Sequence, residues 1–275
     1  MDLIILLKAF ILGIVEGLTE FLPISSTGHL VLAEDLLHFN DMRGKLFAVV
    51  VQMGSILAVC WEYRAKLITT FIELPTQANA RKFALNIAIA FLPLASIGFL
   101  FGHAIKDALF KPVPVALAFI IGGIIIIWAE KREHSMTITD VDQLTPLDAL
   151  KLGCAQALAL IPGTSRSGAT IIGGLLFGLS RKATIEFSFF LAIPTLLMAS
   201  LYDIYKHREL LEFASEAPYF LMGIITAFFS AILAIKALLR YISHNDFIIF
   251  AWYRIIFGVV VLVTAYSGLV QWTVE

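Results

Sequence analysis

The chain has 275 residues, 59% of them hydrophobic and only 15% charged, with a mean hydropathy of +0.89. That is too apolar for a water-soluble domain, and several long runs carry no charge at all. A formal net charge of −1 offers no basic footprint, so no nucleic-acid partner is expected.

Met1-Asp2-Leu3 is not a basic leader with a small-residue cleavage site, so no removable signal peptide is expected. The first apolar stretch carries Glu16 and Glu20 and meets a break at Pro23-Ile24-Ser25-Ser26-Thr27-Gly28-His29. A short helix, His29–Leu37, is expected after it. Leu46–Trp61, Phe83–Gly102 and Pro112–Ala129 then read as membrane spans of about 18–20 residues. A second break follows at Pro162-Gly163-Thr164-Ser165-Arg166-Ser167-Gly168-Ala169-Thr170. Its flanks, Leu152–Ile161 and Ile171–Leu179, are too short to cross a bilayer. Phe187–Tyr202, Ala217–Ile235 and Phe247–Val270 complete the spans, the last with Arg254 inside it. Cys60 and Cys154 lie in apolar stretches and read as packing residues, with neither metal-ligand spacing nor a disulfide framework.

Irregular polar backbone at membrane depth is tolerated only where protein or a watery cavity shelters it. Ionisable side chains there mark functional sites. The active centre is therefore expected where the two breaks meet. A shift of 140 residues superposes them: Gly13 falls on Gly153, Ser25 on Ser165, Thr27 on Ser167 and Gly28 on Gly168. Glu16 falls on Gln156 and Phe47 on Phe187. The expected architecture is an all-α polytopic membrane protein, one integral domain over residues 1–275. It holds two repeats, about 1–135 and 145–275, each a re-entrant broken hairpin plus three spans. Three spans reverse the side of the chain, so the second repeat is inverted.

Loop charges orient the model. Arg64, Lys66, Arg81, Lys82, Lys131, Arg132, Lys151, Arg181, Lys182, Lys236 and Arg240 are assigned to one face. Lys8, Arg43, Lys45, Lys106, Lys111, Lys206 and Arg208 go to the other. Eleven against seven makes the first face cytoplasmic and leaves both termini outside.

Glu16 and Glu20, four apart, share a helix face. Like charges together in a membrane call for a cation, a shared proton or an arginine. Ser25, Ser26 and Thr27 with Gly28 stand at a helix start, where free N–H groups and the dipole attract anions. His29 is within one turn of them and suits a general base. In the second break Arg166 joins Ser165, Ser167 and Thr170, and a guanidinium among hydroxyls matches phosphate. Arg254 is a candidate second cation for a doubly anionic head group. Gln52 is a weaker candidate whose amide would serve equally to bind helices together. Structural alternatives stay open: a solvated helix end for Glu20, plain N-capping by Ser25 or Ser26, and an Arg166 bridge to Glu16 or Glu20. His38, His103, His134, His207 and His244 fall at element ends or in loops and are read as structural.

Glu16-x-x-x-Glu20-x-x-Pro23-x-Ser25-Ser26-Thr27-Gly28-His29, paired with Pro162-Gly163-x-Ser165-Arg166-Ser167-x-x-Thr170, closely resembles the bacterial undecaprenyl pyrophosphate phosphatases of the bacitracin-resistance type. Tyr253-Arg254 extends the resemblance toward the end of the chain. The resemblance implies an inner-membrane phosphatase that converts C55 isoprenyl diphosphate to the monophosphate and inorganic phosphate. That reaction recycles the lipid carrier of cell-wall synthesis and confers bacitracin resistance. It also implies a divalent cation, Mg2+ or Ca2+, and a site open to the outer side. Carried over, the catalytic set is Glu20, Ser26, His29 and Arg166, with Glu16 beside Glu20 for the metal. Ser25, Thr27, Ser165, Ser167 and Thr170 would bind the diphosphate, with Arg254. Ser26 would attack phosphorus while His29 takes its proton; His29 or water as nucleophile remains open.

The rival class is an anion or lipid transporter of inverted-repeat type, since helix N-termini at a break suit anionic cargo. A pore has no evident need of His29 and paired glutamates beside serines, whereas a hydrolase does. A homodimer is left open.

Overall fold

The computed structural model describes residues 3–39, 42–133, 135–206, 213–270 and 272. His134, His207 and Arg208 lie outside the described residues, as do the side chains of Arg43 and Lys45. Among the described residues eleven α-helices make up most of the chain: α1 (Leu3–Thr19), α2 (Ser26–Leu36), α3 (Met42–Glu62), α4 (Arg64–Glu73), α5 (Ala78–Leu109), α6 (Pro112–Glu130), α7 (Pro146–Ala157), α8 (Arg166–Leu176), α9 (Arg181–Lys206), α10 (Phe213–Ile242) and α11 (Ile248–Tyr266). Among the described residues there is no strand, only an isolated bridge between Ile138 and Leu179.

Among the described residues five helices are long and apolar enough to cross a membrane: α5, α6, α9, α11 and the Ala217–Ile242 part of α10. A sixth crossing results if Leu46–Glu62 is joined to α4 across a 74° bend. All six expected spans are therefore helical; five run past their expected start or end where polar residues continue the helix, whereas α11, Ile248–Tyr266, falls short of the expected Phe247–Val270 at both ends. At 32 residues, α5 is about 48 Å long, more than the roughly 30 Å hydrocarbon core. The expected reading had no α4. Its ten residues include Arg64, Lys66 and Glu73, which left the segment looking like a charged loop, and none of them is buried. Similarly, α2 begins at Ser26 rather than His29, so the hydroxyls belong to its first turn.

Long neighbouring helices pack in pairs: α1 on α10, α6 on α11, α3 on α10, and α5 on α7. Small residues bring α1 against α10. A side chain at Gly17 would overlap Ser230 and the Ala227 carbonyl, and Ser230 donates to the Gly13 carbonyl at 3.2 Å. Close backbone approach of this kind replaces the hydrophobic drive that lipid removes.

Polar pairs gather at one end of the bundle. Glu130, at the end of α6, takes Arg181 of α9 and the Phe247 N–H before α11 at 2.9 Å. Lys66 bridges to Asp142 at 2.5 Å, and Lys82 donates to the Asp142 carbonyl at 3.0 Å. Lys236 reaches Glu62 at 3.8 Å. Capping boxes at Asp140/Gln143 and Thr145/Asp148 then start a short 3₁₀ turn and α7.

Candidate active site

Each break is a tight backbone reversal in front of a short helix. The first runs from the end of α1 through Pro23 to Ser25, where φ is 68° and ψ is 101°. The second runs through the 3₁₀ turn Leu158–Leu160 and Gly163, φ 89°, to Ser165, φ 70° and ψ 119°. Side chains rarely accept such positive φ, and each instance costs on the order of 1–3 kcal/mol. Among the described non-glycine residues only Ser25, Ser165 and His38 have it. Two serines 140 positions apart thus share one strained conformation.

Several contacts bind the breaks together. Ser167 donates to the Leu22 carbonyl at 2.8 Å. Arg166 donates from Nε and Nη2 to Glu20 Oε1, each at 3.3 Å, and from Nη1 to the Ser188 carbonyl at 3.0 Å. The ion pair is almost wholly buried. The bridge that the sequence left open as an alternative therefore exists, to Glu20 and not to Glu16. Ser26 donates to the other oxygen of Glu20 at 2.5 Å. One carboxylate thus links the hydroxyl of the first break to the guanidinium of the second.

A cavity of about 110 Å³ lies over this linkage, several times the room one water needs. Glu20, Ser25, Ser26 and Thr27 form one side, and Pro162, Gly163, Ser165 and Arg166 another. Gln52 of α3, Leu196 of α9 and Ala159 close it. The first N–H groups of α2 are left open here, because the Ser25 side chain makes no capping hydrogen bond.

Other sequence candidates do not face the cavity. Ser167 is spent on Leu22, and Thr170 donates back to the Arg166 carbonyl at 2.9 Å. Both are fully buried. Arg254, expected as a second substrate-binding cation, is directed elsewhere: it donates to the carbonyls of Pro23 at 3.1 Å, Ala118 at 3.0 Å and Gly163 at 3.0 Å. It is a strut that ties both breaks to α6. Its three acceptors are backbone atoms, which no side-chain pattern announces.

His29 also stands apart from the Ser26 hydroxyl. Nδ1 lies 2.7 Å from the Ser25 carbonyl, which can only accept, so Nδ1 carries the hydrogen. A neutral ring then accepts at Nε2 from the Tyr253 hydroxyl, 2.6 Å away. The imidazole is stacked on Phe257, with centroids 4.1 Å apart. The expected Ser26–His29 pairing is not formed, because α11 aromatics occupy the ring and Glu20 occupies the serine. Tyr253 was legible only as the neighbour of Arg254; its spacing of four from Phe257 on α11 was the available sign.

Glu16 is fully buried one turn before Glu20, and neither of its carboxylate oxygens has a hydrogen-bond partner. At the matching position Gln156, also fully buried, donates to Thr195 at 3.2 Å. Among the described residues no group of three or more His, Cys, Asp or Glu is placed to hold a metal by itself.

Comparison with known proteins bears on this geometry. The family model described as Bacitracin resistance protein BacA matches residues 9–260. The chain is 61% identical over 275 residues to the undecaprenyl-diphosphatase of Nitrosomonas europaea, covering all of both chains. It is 60% identical over 273 residues to the undecaprenyl-diphosphatase of Nitrosospira multiformis, covering 99% of this chain and 100% of that one. The undecaprenyl-diphosphatase of Dechloromonas aromatica is 62% identical over 275 residues, again with full coverage of both.

Proposed function

The chain belongs to the Bacitracin resistance protein BacA family, and on that premise we propose that it is a membrane phosphatase that hydrolyses undecaprenyl diphosphate to undecaprenyl phosphate and inorganic phosphate. The observation that carries this reading is the Ser26–Glu20–Arg166 linkage beneath one polar cavity. Similarity to relatives named for that substrate supports its identity.

Phosphoryl transfer needs a placed nucleophile and fixed positive charge on the transferred group. A diphosphate entering the cavity competes with Glu20 for Arg166, whose fork matches phosphate oxygens. Once the guanidinium turns to the substrate, Glu20 is free to accept the Ser26 proton along the hydrogen bond already present. Ser26 Oγ bonds to the terminal phosphorus as the bond to the bridging oxygen breaks, and the lipid monophosphate leaves. Water then cleaves the phosphoserine and releases inorganic phosphate. The open N–H groups of α2, with Ser25 and Thr27, hold the phosphate oxygens, while Ser165, whose hydroxyl caps α8, frames the wall beside them. His29, fixed by Tyr253, holds the Ser25 carbonyl and thus the shape of the break. In this reading it is a positioning residue, and Glu20 takes the base role the sequence assigned to His29.

A divalent cation, Mg2+ or Ca2+, fits the donor set. Such ions commonly take one or two carboxylates and complete their shell with water and phosphate oxygens. Glu20 on the wall and Glu16 behind it, with two unpartnered oxygens, would hold it. When bound, it would offset the charge on the diphosphate oxygens.

The same reading places the whole chain in the bacterial inner membrane as two inverted repeats, about 1–135 and 145–275. The shared geometry of Ser25 and Ser165 supports it, as do three long helices after each break: α3, α5 and α6, then α9, α10 and α11. The lysine- and arginine-rich end would face the cytoplasm, with the termini and the site outside. Recycling of the lipid carrier and bacitracin resistance would follow from the reaction.

Purified protein in detergent is expected to release phosphate from a polyprenyl diphosphate, and rapid quenching to trap the phosphoryl group on Ser26. A phospho-adduct on another residue refutes the serine route. A wild-type protein that releases no phosphate yet carries anions into liposomes refutes the enzyme.

A further inference from the structure

We propose, resting on the phosphatase reading, that Gln52 is a substrate-contacting residue whose side-chain amide donates to the bound diphosphate. The two breaks supply most of the polar cavity wall, but Gln52 comes from α3, outside both. It lies in the middle of a helix whose neighbouring positions are apolar: Val49, Val50 and Val51 before it, Met53 after it. An amide in such a run is costly to bury without a partner.

Two polar side chains that tie helices together near this cavity show their partners. Gln156 donates to Thr195, and Ser200 of α9 donates to the Val49 carbonyl of α3 at 3.3 Å. The Gln52 amide makes no hydrogen bond to any described residue, although it stands one turn beyond Val49 on the same helix face. It reaches instead into the cavity beside Leu196, across the seam where α9 packs on α3. Arg166 is the only cationic side chain on that wall. A diphosphate has more oxygens than one guanidinium can satisfy, and an amide adds two N–H donors without adding charge.

A contact made in ground state and transition state alike changes KM and leaves kcat. The Q52M variant keeps the shape of the side chain and removes its donors. With farnesyl diphosphate as substrate, Q52M is expected to raise KM about tenfold or more, the size of a hydrogen bond to a charged group. Its kcat should stay within about twofold. Affinity for farnesyl methylenebisphosphonate, which cannot be hydrolysed, should fall in parallel. Q52E keeps size and polarity but presents only acceptors to an anion, so its KM should rise further, and it provides the test if Q52M does not fold. A KM within about twofold of wild type in the folded variant overturns the inference. So does a lowered thermal midpoint with unchanged bisphosphonate affinity, which would make the amide a helix tie. A wild-type protein that releases no phosphate instead defeats the underlying phosphatase reading, while bisphosphonate binding still reports on Gln52.

Discussion

Ser25 and Ser165 hold nearly the same backbone angles, yet the hydroxyls around them are used in opposite ways. In the second break they are consumed by the fold. Ser165 caps α8 by accepting from the Gly168 N–H at 3.1 Å, Ser167 grips Leu22, and Thr170 bonds back to Arg166. In the first break Ser25 caps nothing, Thr27 is exposed, and Ser26 is held only by Glu20. One break is braced so that it can present a guanidinium in a fixed place. The other is left open so that hydroxyls and backbone N–H groups can meet a ligand. Two breaks of like backbone geometry are thus, in the proposed reading, a support and a reactive edge.

That division can be broken most severely at the two groups to which the proposed function assigns the chemistry. Arg166→Ala should reduce kcat by on the order of 10³-fold or more, the scale of a lost arginine on a transferring phosphoryl group. Ser26→Ala should cost roughly 10²–10⁴-fold, the range for losing a placed proton transfer. Arg166→Lys keeps the charge beside Glu20 but loses the fork, and so separates catalysis from the burial of an unpaired carboxylate. Phosphate release at saturating substrate, with thermal unfolding as the folding check, measures all three. Near-normal turnover in a folded Arg166→Ala protein would end the comparison.

Smaller effects are expected where the breaks are tied. Arg254→Met leaves the carbonyls of Pro23, Ala118 and Gly163 without their donor. At about 1–3 kcal/mol for each buried group left unpaired, the variant should be the least stable of this set in chemical denaturation. The smallest change sharpens the contrast. Ser167→Ala should lose about 1 kcal/mol of stability and keep kcat within about tenfold, unlike Ser26→Ala. Equal kinetic losses at Ser26 and Ser167 would mean that both breaks carry chemistry.

Much of this protein could be read from the chain itself. A charge-free run of about 20 residues in lipid has one low-energy solution, since only a helix satisfies its backbone internally. That is why all six long spans were legible, and why Glu16, Glu20, Arg166 and Arg254 stood out as expensive exceptions. The α4 helix was hidden because ten residues with three charges carry no such constraint. The offset of 140 is matched in the structure at Ser25 and Ser165, whose shared left-handed backbone conformation is set by their local sequence.

Which group faces which could not be read that way, because it depends on contacts between segments far apart in sequence. Arg254 serves carbonyls 91 to 231 positions away, and a carbonyl is the same atom in every residue. His29 lay within a turn of Ser26 in sequence, but Tyr253 and Phe257 of α11 claimed its ring. Sequence determined that polar groups must be sheltered inside the membrane. The packing of α6, α9 and α11 around the two breaks decided which of them were left to face a ligand.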